Sequence, residues 1–386
     1  MEQGGYSFSL TEEQQAIREA ARSFAQKEMK PVVMHYDETQ EFPFSIIERL
    51  SHLGFLGITV PDDLGGAGLS DLDAALIIEE LARVDPSVAL TVASHNSLCT
   101  GHIMLFGSEE QKRRYIPDLA SGRALGAWGL TEPGSGSDSG GMRTVARKYG
   151  ADWAISGSKA FITQGSVGST YVVLAITDDT RPRESITAFL LEKGMAGFTI
   201  GKKENKLGMR CSDTATLLFD QVRVPKENII GKIGDGFKQA LKVLDGGRIG
   251  IAALSVGIAQ GALDASIAYA RERVQFGRPI GEFQAIQWKL ADMATDITAA
   301  RLMTWQAAML KMEGKPFSVQ ASQAKYFASE IASRAASEAI QIHGGYGFIK
   351  EFPVEKLYRD VKLMTIGEGT SEVQKMVIAR SLLARE

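Results

Sequence analysis

A chain of 386 residues, 44% apolar and 23% charged, has room for two or three domains and a large core. Lysines and arginines number 43 against 46 aspartates and glutamates, a net charge of −3 without blocks of like charge; this argues against nucleic acid and against a polybasic membrane patch. Two cysteines without CxxC spacing and five scattered histidines give neither a disulfide framework nor a metal-ligand pattern, so the chain suits a reducing compartment.

The opening Met-Glu-Gln-Gly-Gly-Tyr-Ser has neither the basic nor the apolar region of a signal peptide, and no run of roughly 18 apolar residues predicts a membrane span. A cytoplasmic enzyme is expected. As far as Ser121 the chain reads as helices. Thr11 and Gln14 have capping-box spacing, and Ile17, Ala20, Ala21, Phe24 and Ala25 follow at helical period before Pro31. Phe44 to Leu53 is a second amphipathic run closed by Gly54. Pro61 to Gly68 is a loop, after which Ser70 with Asp73 opens a helix through Ala82. Another runs apolar from Pro86 toward Leu105, and Ser108 with Gln111 opens a short one that ends before Pro117.

Between Ala124 and Pro225 the chain turns rich in Gly, Ser and Thr. Short β-branched runs at Trp153–Ser156, Thr170–Thr177, Ile186–Leu191, Phe198–Ile200 and Thr214–Val224 predict strands, parted by turn clusters such as Asp178 to Pro182. Beyond Gly236, nearly unbroken helical patterns over Gln239–Arg273, Phe283–Lys311 and Ser318–His343 predict an antiparallel bundle. The expected fold is α+β multidomain: residues 1–120 helical, 121–232 a β-barrel or sandwich, and 233–386 a helical bundle.

Two stretches carry chemistry. Gly129 to Gly141 offers glycine N–H groups with Thr131, Ser135 and Ser137 hydroxyls, which suits a phosphate or a polar ring edge. No strand–helix unit surrounds it, so it is not a dinucleotide fingerprint of the Rossmann kind. Near the C-terminus Glu368 stands between Gly367 and Gly369, on backbone that lets a ligand come close. Thr370-Ser371-x-x-Gln374 then has the spacing of a capping box, which places Glu368 just before a helix N-terminus. A glycine-flanked Glu in a turn is more often a solvated surface residue, so the other motifs decide its meaning.

Those motifs resemble the acyl-CoA dehydrogenase family. Gly129-Leu-Thr-Glu-Pro-Gly-Ser-Gly-Ser-Asp138 is similar to the family's first signature and Trp153-Ala-Ile-Ser-Gly-Ser-Lys-Ala-Phe-Ile-Thr163 to its next segment. Arg271-Glu-Arg-Val-Gln-Phe-Gly-Arg-Pro-Ile280 with Gln284, Gln341-Ile-His-Gly-Gly-Tyr-Gly347, Tyr358-Arg-Asp360 and Gly367-Glu-Gly-Thr-Ser371 resemble the rest, in order and over essentially the whole chain. The resemblance implies the family fold, with a four-helix bundle as its last domain. It implies an FAD enzyme that turns an acyl-CoA into a trans-2-enoyl-CoA, with Glu368 taking the α-proton, the flavin accepting the β-hydride and electron-transfer flavoprotein accepting the electrons. A homotetramer and a place in fatty acid β-oxidation follow from the same resemblance.

By position, Trp128, Leu130, Thr131, Gly136 and Ser137 would meet the flavin ring, with Ser137 also facing substrate, and Phe161 and Thr163 would cover the rest of the ring. Arg273, Phe276, Gln284, Gln341 and Gly345 resemble residues that hold the FAD pyrophosphate and adenosine of a neighbouring subunit, and Thr370 and Glu372 would contact cofactor near the base. Asp245 and Arg248 would line the CoA side of the substrate site, and Gly369 would touch substrate. Gly247 together with Glu368 resembles the straight-chain members, because a branched-chain subgroup carries its base at the Gly247 position. Gly367 departs from a common Tyr and opens space beside the base; Gln164 departs from a common Asn next to the flavin. Cys211, His95 and His343 read as structural. Short straight-chain acyl-CoA is the expected substrate. Branched or cyclic acyl-CoA, an acyl-CoA oxidase, and a flavin-binding protein without catalysis are the alternatives.

Overall fold

In the computed structural model, which describes residues 9–384, all of the N-terminal helical expectations fall on helices. The expectation that the first seven residues hold no signal sequence lies outside the described residues. Helices α1 (Glu12–Phe24), α2 (Val33–Thr39), α3 (Phe44–His52), α4 (Asp71–Ala82), α5 (Pro86–Ser94), α6 (Gly101–Phe106) and α7 (Glu109–Ala120) come first. Thr11, Ser70 and Ser108 cap α1, α4 and α7 with full capping boxes, each satisfying two helix-end donors. Pro86 sits in the first turn of α5, where its missing N–H has no intrahelical partner to lose. The expected run toward Leu105 contains a π-helical turn, His95–Thr100, between α5 and α6. Pro117 does not end α7, contrary to expectation. It removes a single intrahelical bond, while the buried Tyr115, Ile116, Leu119 and Ala120 hold the last turn on the core.

The β region contains β1 (Gly126–Gly129), β2 (Val145–Tyr149), β3 (Asp152–Thr163), β4 (Thr170–Ile176), β5 (Ile186–Glu192), β6 (Phe198–Lys203), β7 (Thr214–Val224) and β8 (Ile229–Ile230). The order is β6-β7-β3-β2-β4-β5-β8, with β1 pairing parallel to β4. Only Val145 against Ile176 joins β2 to β4, so two curved halves fold over a shared interior of Trp153, Tyr171, Phe189, Leu217 and Phe219.

Helix α8 (Gly236–Glu272) leads through a short hairpin, β9 (Val274–Gln275) and β10 (Arg278–Pro279), to α9 (Gln284–Met312) and α10 (Ser318–His343). After α11 (Val354–Asp360), α12 (Ser371–Leu383) packs on α10 and completes a bundle with α8, α9 and α10. Its core continues into the N-terminal helices, so Leu76, Ile77 and Leu81 belong to the same apolar cluster as Leu254, Ile258 and Ala328. The expectation of no long apolar run meets one exception. A window of α8 has mean hydropathy 1.5, enough by length and composition to cross a membrane, but 72% of it is buried inside the protein as the central core helix.

Charges join the parts. Lys356, inaccessible on α11, donates to Asp85 at 2.9 Å and to Asp360 at 2.6 Å; Asp85 also caps α5, and Asp360 accepts from the Met209 N–H after β6. Cys211 lies against this cluster, where burial pushes its thiol well up, and its packing is structural as expected. Lys356→Met would leave two buried carboxylates without a counter-charge. A loss of about 3–5 kcal/mol is expected, read as a lower urea midpoint at unchanged flavin content.

Candidate active site

Glu368 and Gly369 both have left-handed backbone, with φ of +51° and +93°. Gly369 accepts this freely, whereas Glu368 needs its surroundings to hold it there. The Gln374 side chain supplies part of that hold, donating to the Glu368 carbonyl at 3.2 Å and to the Gly369 carbonyl at 2.9 Å. The expected capping box does not form, because the cap is Thr370 and Gln374 lies one residue beyond the N3 position, which Val373 occupies. The Thr370 hydroxyl accepts from the Val373 N–H and caps α12, but Gln374 turns back to the loop. The Lys325 ammonium on α10 also donates to the Gly369 carbonyl, at 2.7 Å.

The Glu368 carboxylate is aimed into the protein. Its Oε2 is buried without a hydrogen-bond partner, and a Cβ built on Gly247 of α8 would stand 2.0 Å from it. No hydrogen bond from the Glu368 N–H is found among the described residues, so this donor stands free beside the carboxylate. Burial raises the carboxyl from its usual range to about 7, against the opposing pull of Lys325 and Arg248. Burial likewise lowers the Lys325 ammonium to about 8. Arg248 is 4% exposed, paired to Asp245 at 2.5 Å and to the Ser322 hydroxyl at 3.2 Å, while its Nε has no partner. It stands beside the base, where Asp245 and Ser322 draw the guanidinium between α8 and α10. A Cβ on Gly367 would make ordinary contact with Leu363, whose carbonyl oxygen is nearest at 3.5 Å.

A second group gathers where β1 and β3 end. Trp128 and Leu130 are buried, and the Trp128 indole N–H donates to His102, which in turn bonds Gln239. The Ala160 N–H donates to the Thr131 carbonyl at 2.9 Å, which sets Phe161 and Thr163 alongside Thr131. Phe161 has φ of +57° and is 66% exposed, an aromatic ring held outward on strained backbone. Beneath the loop, fully buried Lys159 donates to Glu132 at 2.7 Å and to the Leu130 carbonyl at 3.1 Å. Gly136 and Ser137 lie on the exposed tip, and a Cβ on Gly136 would meet nothing. Gln164 follows directly on Thr163 at the end of β3. It is 1% exposed and bonds Ser94 and the Thr91 carbonyl, tying β3 to α5.

A third group occupies the far ends of α8 and α10. Arg273, Gly345, Gln275, Tyr269 and Tyr346 line a cavity of about 510 Å³. The Arg273 guanidinium lies 5.2 Å over the Tyr346 ring, and Phe276 is 95% exposed with φ of +51°. Gln284, the first residue of α9, and Gln341 are exposed. Along α10 the 16 residues from Lys325 to Gln341 span about 24 Å, which separates this group from Glu368. Glu372 is exposed on the first turn of α12, where backbone N–H donation and the Thr370 hydroxyl hold its carboxyl low. His95 bridges the Leu119 carbonyl and the Gly126 N–H, and burial lowers it to about 4; His343 stacks on Tyr269. Both are structural.

Sequence reasoning passed over Lys325 and the role of Gln374 in the loop. A signal for Lys325 was present: it interrupts Ala321, Ala324, Ala328 and Ala332 on the face of α10 that must be buried.

A carboxyl buried among α8, α10 and α12 and poised near neutrality is a candidate base in a site shielded from water. Comparison with known proteins gives the class. The family models "Acyl-CoA dehydrogenase, N-terminal domain", "middle domain" and "C-terminal domain" match residues 11–123, 127–222 and 234–383. The chain belongs to the acyl-CoA dehydrogenase family, whose members are flavoprotein oxidoreductases. It is 46% identical to the short-chain specific acyl-CoA dehydrogenase of Clostridium acetobutylicum, over 96% of this chain and 98% of that one. Among solved structures it is similar to butyryl-CoA dehydrogenase from Megasphaera elsdenii, with TM-score 0.96 and 45% identity over 98% and 100% of the two chains. A chain in a study of the electron transferring flavoprotein of Acidaminococcus fermentans and electron bifurcation matches with TM-score 0.97 and 46% identity, again over 98% and 100%.

Proposed function

We propose that this protein dehydrogenates a short-chain acyl-CoA thioester to the trans-2-enoyl-CoA, with Glu368 as the base and FAD as cofactor. The observation that carries this reading is the unpartnered, buried Oε2 of Glu368 on a carboxyl raised to about 7. A proton α to a thioester is too weakly acidic for an ordinary carboxylate in water. A desolvated base of raised basicity, with a hydrogen-bond donor on the thioester oxygen, makes the transfer feasible. The free N–H of Glu368 is such a donor on the same residue. FAD, when bound, supplies acceptance of the hydride from the β carbon.

The groups at the β1 and β3 ends fit a flavin ring: hydroxyl and N–H groups from Thr131, Gly136, Ser137 and Thr163, with Trp128, Leu130 and Phe161 as apolar walls. Arg273, Gln341 and Gly345, with Phe276 and Gln284 nearby, fit a pyrophosphate and an adenosine, since a forked guanidinium suits phosphate oxygens. Their distance from Glu368 suits a cofactor shared between copies of the chain, and the resemblance to the family makes the assembly a homotetramer. Ser137, Asp245, Arg248 and Gly369 are the proposed substrate contacts, and Thr370 and Glu372 border the cofactor. The short-chain relative and the match to a chain studied with an electron transferring flavoprotein support butyryl-like substrates and that class of electron acceptor, as fatty acid β-oxidation would need. A cytoplasmic location accords with two buried, free cysteines. The lack of a side chain at Gly367, next to the base, favours one second reading, a branched or cyclic acyl group.

Anaerobic bleaching of the purified flavoprotein by butyryl-, octanoyl-, isobutyryl-, isovaleryl- and cyclohexanecarboxyl-CoA tests the proposal. Fast bleaching by butyryl-CoA alone is expected; preference for a branched or cyclic thioester would select the second reading. No bleaching by any of them would end the dehydrogenase reading. The base acts ionised, so kcat/KM should rise about tenfold per pH unit below about 7 and flatten above it. A profile level from about pH 5.5 to about pH 8.5 would contradict this.

A further inference from the structure

Lys325 has no exposed surface and lies on a buried helix face made otherwise of small residues, Ala321, Ser322, Ala324, Ala328 and Ser329. Burying an ammonium costs several kcal/mol unless it is used, and structural lysines of this kind bond carboxylates, as Lys356 and Lys159 do here. Lys325 donates instead to a backbone carbonyl, that of Gly369, the residue after the base. Gln374 donates to the same carbonyl from the opposite side in sequence. Two left-handed residues in a row are thus tied at their carbonyl oxygens by side chains of α10 and α12.

The charges around Glu368 show why an ammonium stands at this place. From α8, Arg248 faces the carboxylate but is already paired to Asp245. From α10, Lys325 faces it, and Glu330 of the same helix accepts a hydrogen bond from the Ser371 hydroxyl at 2.6 Å. From α12, Glu372 adds a negative charge that acts on Lys325. Lys325 is therefore the cation near the base that a carboxylate does not already hold by a hydrogen bond.

We propose that Lys325 is a positioning residue for the reaction: through the Gly369 carbonyl it fixes the Glu368–Gly369 turn, and its charge offsets that of the carboxylate held over Gly247. This rests on Glu368 as the base. With Lys325 present the carboxyl is pulled toward its ionised form, so removing the cation moves its titration upward.

The test sets Lys325→Met, Lys325→Gln and Glu368→Gln beside the parent, each as full-length flavoprotein. Flavin content, kcat and KM with butyryl-CoA, and titration of the Glu368 carboxyl by difference infrared spectroscopy, with Glu368→Gln as blank, are measured. Lys325→Met should keep its flavin, lose about 30-fold or more in kcat with KM within about threefold, and titrate about one unit higher. Lys325→Gln keeps a donor for the Gly369 carbonyl and is gentler on the fold. It should recover part of kcat yet still titrate high. Titration at the parent value in Lys325→Gln overturns the proposal even if Lys325→Met does not fold, as does Lys325→Met turning over within about threefold of the parent. Undiminished turnover of Glu368→Gln would instead remove the base assignment, and the infrared titration keeps that failure separate.

Discussion

Glu368→Gln is expected to slow flavin reduction by butyryl-CoA by at least ~10³-fold, at full flavin occupancy and with little change in substrate binding. Gln is close to Glu in volume, so it can take the same seat over Gly247, and the left-handed turn keeps its ties to Gln374 and Lys325. It lacks a basic oxygen. General-base catalysis contributes about 10²–10⁴-fold, and little else in the site can stand in. Arg248 and Lys325 are cations, and Asp245 is engaged by Arg248 and Ser318. Rapid anaerobic mixing, followed at the flavin absorbance, measures the rate. Turnover within tenfold of the parent would show that another group takes the proton.

The long helices were legible because their apolar stripe runs for many turns; Ser318–His343 has the bounds that periodicity gives. β3 was seen only from Trp153 to Ser156, since Gly157 at φ of +140° and inward-pointing Lys159 break the alternation over its second half. β1 is Gly-Ala-Trp-Gly, buried at every position and without a β-branched residue, and nothing local marks it as a strand. Helix α7 outran its proline because tertiary burial outweighed one lost hydrogen bond.

The candidate site divides in the same way. Glu368 was readable through its flanking glycines and the resemblance of motifs spread along the whole chain. The left-handed backbone of Phe161, Gln164 and Phe276 was not, since none is a glycine and only the fold imposes it. Lys325 was hidden for a related reason. A charged residue in a helical pattern reads as solvated, and its partner carbonyl lies 44 positions away in sequence.

Gly247→Ala should disable the enzyme while leaving its fold nearly intact, with a fall in flavin reduction of about 10²-fold or more. The new Cβ would stand 2.0 Å from Oε2 of Glu368 and 3.0 Å from its carboxyl carbon, closer than atoms can approach. Those are the nearest atoms it meets, and they belong to the free end of a side chain. The strain is therefore relieved by swinging the carboxylate away, not by moving α8. Alanine in place of glycine inside a long helix favours that helix by up to ~1 kcal/mol, so thermal stability should hold or rise. Contrast Gly257 on the same helix, where a Cβ would stand 2.3 Å from the Glu79 carbonyl oxygen, a backbone atom that cannot swing aside. Gly257→Ala should lower the melting temperature and leave the chemistry of surviving enzyme intact. Measured together, melting temperature and flavin-reduction rate separate the two glycines. Equal activity of Gly247→Ala and the parent would mean that the reacting carboxylate does not work from its seat over Gly247.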